Sequence, residues 1–69
     1  MKRFGEKLRV LRTERGLSYR QIADILDIHF TYINKIEMGK RRPPANLIFK
    51  IAKFFGVSTD QLMDDELEL

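Results

Sequence analysis

Helix-breaking punctuation constrains this chain more than any other feature. Gly16, the Asp27-Ile28-His29 break, Gly39 with Pro43-Pro44, and Gly56 divide it into five stretches. Within each stretch, apolar residues recur at the three- and four-residue spacing of an amphipathic helix. No period-two alternation lasts more than a few residues, so an all-α fold of five short helices with tight joints is predicted.

Each stretch carries its own start and stop signals. Phe4, Leu8 and Leu11 share a face, which predicts a first helix from about Lys2 or Arg3 to Arg15, with Gly16 as its cap. Ser18 and Gln21 have the spacing of a capping box and open a second helix that turns Ile22, Ala23 and Leu26 inward. Asp27 accepts a left-handed backbone more readily than most residues, and Ile28 reads as an apolar plug between two helices. A third helix from about Phe30 to Met38 buries Ile33 and Ile36 and stops at Gly39. Pro43 biases Arg42 toward an extended backbone. The fourth helix then runs from Pro44 or Ala45 to Phe55, with Ile48, Ile51, Ala52 and Phe55 inward. Ser58 and Gln61 open a short last helix through Leu62. Residues 1–69 are expected to form one domain, with the acidic stretch 64–69 frayed.

Several function classes drop out. The chain has no cysteine and one histidine, His29, so neither a thiolate nor an imidazole-rich metal site is expected. HExxH, GxxxxGK[ST] and paired-cysteine motifs are absent, and no nucleophile–base–acid set can be assembled, so neither catalysis nor a cofactor is expected. No apolar run approaches the roughly 20 residues that span a bilayer, and the start lacks a signal-peptide pattern. A cytoplasmic protein without a membrane partner is the expectation.

Charge is unevenly placed. Residues 1–42 hold eleven Lys or Arg against five acids, whereas residues 43–69 hold two against five. A cationic front and an acidic rear suit a protein that offers one face to a polyanion, although a solvated surface with chance asymmetry gives the same count. The unit from Ser18 to Met38, helix–break–helix, would bury Ile33 and Ile36 and leave Thr31, Tyr32, Asn34 and Lys35 outside. A helix presented this way fits the major groove, but generic helical hairpins share the pattern.

The residues also carry a specific resemblance. Phe4 to Arg12, Arg15-Gly16-Leu17-Ser18 and Gln21-Ile22-Ala23 are similar to the first helix and second-helix start of the phage Cro and CI repressor family, the XRE-type helix-turn-helix regulators. Tyr32 to Arg41 with Pro43, then Ile51-Ala52-Lys53, Phe55 to Ser58, Asp60 and Leu62, resemble its recognition helix, exit loop and last two helices. The likeness runs from residue 3 to 63 without a gap. It implies a lambda-repressor-like domain whose helices two and three form the motif. It further implies a regulator of transcription, by default a repressor, that binds double-stranded DNA at an inverted repeat as a homodimer. Three positions depart from the family: Asp27 replaces glycine, His29 replaces Ser or Thr, and Tyr19 replaces glutamine. His29 is the weaker N-cap, so less local support for helix three is expected.

By this resemblance Phe30, Thr31 and Lys35 face base edges, with Tyr32 and Asn34 as further candidates. Phe30 reads equally as a packing residue, and Lys35 as a solvated or phosphate-bound cation. Ser18, Tyr19, Lys40, Arg41 and Arg42 are expected on the DNA backbone. The resemblance pairs Arg12 with Glu37 as an ion pair joining helices one and three; two unrelated surface charges are the alternative. Phe54, Met63 and Leu67 exceed what one small core needs and are expected to form a dimer surface. A protein-interaction or antitoxin module, with the acidic tail as its docking segment, is the rival reading.

Overall fold

Five helices and no strand make up the computed structural model, which describes residues 1–69: α1 (Phe4–Glu14), α2 (Tyr19–Leu26), α3 (Phe30–Glu37), α4 (Ala45–Phe55) and α5 (Thr59–Met63). Helix α2 crosses α3 to form the two-helix corner, α1 lies against α3 and α5, and α4 closes the core against α2 and α5. The predicted inward residues converge on one cluster in which Leu8, Ile22, Ile33, Ile51 and Leu62 are inaccessible to solvent. No helix is long and apolar enough to cross a membrane.

The capping chemistry explains where the helices begin and end. Both serine boxes are complete: Ser18 and Ser58 accept from the backbone N–H of Gln21 and Gln61, whose side chains accept from the serine N–H in return. Asp27 closes α2 at φ 59°, the left-handed geometry its side chain tolerates. Ile28 is half-buried against the core beside it. Helix α1 starts at Phe4, a residue or two later than the periodicity suggests, and the backbone N–H groups of Lys2 and Arg3 ahead of it donate to the Asp65 carboxylate, each at 2.8 Å.

That contact also corrects the expectation of a frayed end. Residues 64–69 fold back along α1, where Arg3 bonds the Asp65 carbonyl at 2.9 Å and pairs with Glu68 at 2.8 Å. The two backbone donors hold the Asp65 carboxyl below its usual range, and the Arg3 guanidinium does the same for Glu68. Beneath them the Lys7 side chain is buried, and its Nζ donates to the carbonyls of Gln61, Asp64 and Leu67 at 2.6, 2.8 and 2.6 Å. One ammonium thus satisfies three acceptors where α5 ends, a place where helix carbonyls lack intrahelical partners. Periodicity places Lys7 among the charged positions of α1 and gives no sign of this.

Gly5 lets α1 approach the backbone of α3 closely. A Cβ there would lie 2.5 Å from the Ile36 carbonyl oxygen and 2.6 Å from that of Glu37, both backbone atoms that cannot swing aside. Gly5→Ala is therefore expected to destabilise the protein by about 1–3 kcal/mol through overpacking, as read by chemical denaturation. Lys7→Met, which keeps most of the stem volume and removes the three bonds, is expected to cost about 2–4 kcal/mol. In the same variant, amide-exchange protection should fall at the backbone N–H groups of Lys2, Arg3 and Leu67.

Candidate nucleic-acid interface

Orientation of α3 depends on one ion pair. Arg12 Nε and Nη2 donate to the two carboxylate oxygens of Glu37 at 2.7 and 3.1 Å, while Nη1 donates to the Leu17 carbonyl at 2.7 Å. The Glu37 side chain is 2% exposed, and the Tyr19 ring covers the guanidinium at 4.3 Å. The bond to Glu37 raises the Arg12 pKa above its ordinary value. A planar fork on two oxygens fixes direction as well as distance, and it binds the last turn of α1 to the last residue of α3. Tyr19, expected on the DNA backbone, is half-buried on this pair.

The N-terminal end of α3 is better supported than the sequence suggests. His29 Nδ1 accepts the backbone N–H of Thr31 at 3.2 Å, so the imidazole does cap the helix. Phe30 is half-buried between the Arg20 guanidinium, 4.1 Å from its centroid, and the His29 ring at 4.6 Å. The packing reading of Phe30 is the one its surroundings favour. Thr31 and Lys35 are exposed, whereas Tyr32 and Asn34 are half-buried and Arg41 lies 4.9 Å over the Tyr32 ring. Ser18 uses its oxygen as a cap acceptor, leaving the hydroxyl proton for an outside group.

Lys40, Arg41 and Arg42 are exposed on the loop that follows, and no carboxylate lies within ion-pair distance of any of them. Lys2 joins them from the other end of the chain. The four cations line one cleft of about 470 Å³ floored by Phe4 and Gly5. Sequence spacing hides this grouping, since only the α1–α3 contact brings residue 2 beside residues 40–42.

The three residues expected at a dimer surface do not lie together. Phe54 is half-buried beside Arg15 and lines a groove with Ile25, Lys50 and Lys53. Met63, 39% exposed, instead lines a groove with Phe49, which at 65% is the most exposed large apolar side chain. Leu67 is exposed on the folded-back tail. Phe49 escaped the sequence reading because it sits inside an otherwise inward-facing apolar run.

The helix-turn-helix family model matches residues 8–62. The SPbeta prophage-derived HTH-type transcriptional regulator YonR of Bacillus subtilis is 40% identical over 60 residues, covering 87% of this chain and 56% of its own. The HTH-type transcriptional activator BcrR of Enterococcus faecalis is 41% identical over 63 residues, 91% of this chain and 31% of its own. The chain thus spans about half or less of these two relatives. Among solved structures, the restriction-modification controller protein C.AhdI from Aeromonas hydrophila superposes with a TM-score of 0.79 at 31% identity, covering 90% of this chain and 94% of that one.

If the Arg12–Glu37 bond sets the pose of α3, removing one partner strands the other. Glu37→Ala is expected to cost about 3–5 kcal/mol, far more than a typical surface substitution. Thermal denaturation of the variant measures it, and a melting temperature equal to wild type would remove the structural role.

Proposed function

The chain belongs to the helix-turn-helix family, and on that premise we propose that it is a sequence-specific double-stranded DNA-binding regulator of transcription. Residues 1–69 act as one binding unit in this reading, with α3 entering the major groove. One observation carries it: Thr31 and Lys35 are exposed on a helix held rigidly from behind, directly ahead of three cations that have no acidic partner. Lys35 offers a donor to guanine O6 and N7, and Thr31 meets a neighbouring base. Tyr32 and Asn34 border the contact, with Phe30 packed at its edge. Ser18, Tyr19, Lys40, Arg41 and Arg42 hold the sugar–phosphate rails, and Lys2 extends their track.

The reading includes a homodimer on an inverted repeat, supported by the exposed apolar groove of Phe49 and Met63, with Leu67 nearby in sequence, more than by Phe54, which lines a different groove. Two-fold pairing there would present two recognition helices about one DNA turn apart. Repression is the simpler regulatory outcome, because occupying a promoter requires no surface beyond the one that binds DNA. The rival docking role for the acidic tail is disfavoured by the engagement of Asp65 and Glu68 with the chain's own Arg3 and backbone.

Selection of bound duplexes from a random pool tests the reading directly. A two-fold symmetric site with half-sites about 10 base pairs apart is expected. Arg41→Ala should weaken binding to selected and unrelated duplexes alike and reduce the slope of log K against log salt by roughly one. Protein that ignores every duplex at low ionic strength would overturn the proposal. A strictly monomeric sedimentation profile with and without DNA would overturn the dimer alone.

A further inference from the structure

The start of α3 assigns different tasks to the two ends of the Thr31 side chain. His29 Nδ1 accepts the Thr31 backbone N–H, and it also lies 2.8 Å from Thr31 Oγ1. A ring nitrogen that accepts an N–H carries no proton of its own. The proton in the second contact therefore comes from threonine, and Oγ1–H donates to Nδ1. The hydroxyl is directed back at the cap. Because threonine branches at Cβ, fixing Oγ1 fixes the Cγ2 methyl in another staggered position. Turning the oxygen toward a base would break the bond to His29. Phe30, the other apolar candidate at this end, is sandwiched between Arg20 and His29.

We propose that Thr31 reads DNA through its methyl group, against the C5-methyl of a thymine, while its hydroxyl stays bound to His29. The inference rests on α3 lying in the major groove. It adds the chemical group recognised.

The test uses the full chain and the duplex recovered by selection, with each thymine of a half-site replaced in turn by deoxyuridine, which lacks only the methyl. Thr31→Ser keeps the hydroxyl and both bonds to His29, whereas Thr31→Val keeps a methyl and loses the hydroxyl. On the thymine duplex, Thr31→Ser should bind about fourfold more weakly than wild type, the equivalent of one buried methyl group, and Thr31→Val, which keeps a methyl, should bind more tightly than Thr31→Ser. One deoxyuridine replacement should weaken wild type and Thr31→Val by about fourfold and leave Thr31→Ser unchanged. Melting curves matching wild type establish that both variants keep α3. Retention by Thr31→Ser with loss by Thr31→Val would show readout through the hydroxyl and overturn the inference. Equal binding by all three proteins, or a half-site in which no replacement matters, would also overturn it. Wild-type protein that binds no duplex would refute DNA binding itself and this inference with it, a result distinct from the others.

Discussion

Much of this molecule depends on a charged bond placed where an apolar contact would have been simpler. Burying Arg12 and Glu37 costs desolvation that a pair of leucines would not. Apolar contact has no preferred direction, however, and α3 must hold a particular roll to keep Thr31 and Lys35 outside while Ile33 and Ile36 stay inside. The two-pronged bond supplies that direction. Nη1 is occupied by the Leu17 carbonyl, so the same guanidinium also ties down the residue leading into α2. Gly5 completes the joint by letting the α1 backbone approach the α3 carbonyls that flank Glu37.

A second polar anchor works at the opposite side. Lys7 draws three carbonyls around one buried ammonium, and the segment they belong to turns back over the start of α1. Two acids of the chain's rear, Asp65 and Glu68, are engaged by its own N-terminal segment, Arg3 above all. This partition leaves the cations of residues 40–42 without competing acids. The loop's field is therefore open to a polyanion, consistent with electrostatic recognition of a phosphate backbone.

Side chains around α3 divide between supporting and presenting. His29, Phe30 and Tyr19 are each engaged with another protein group, whereas the sequence placed Tyr19 on the DNA backbone, left Phe30 between base contact and packing, and gave His29 as a weak cap. Engagement does not remove them from an interface; it fixes which atoms remain available. Arg41 over Tyr32 shows the same division, since the ring holds the guanidinium beside α3 while Arg41 stays exposed.

The five helices, their boundaries to within a residue or two, the left-handed Asp27 and the inward faces were all legible in the sequence, because periodicity and capping are local and each signal acts within about four residues. The all-α class and the exposure of Thr31 and Lys35 followed from the same local rules, and the pairing of Arg12 with Glu37 came only from family resemblance. Tertiary packing alone decided that Lys7 is buried, that residues 64–69 are docked, that Lys2 stands beside Arg42, and that Phe54 and Met63 line different grooves. Each of these joins residues far apart in the chain or turns on how neighbouring helices are rotated. Neither distance nor rotation is recorded in the order of residues along one helix.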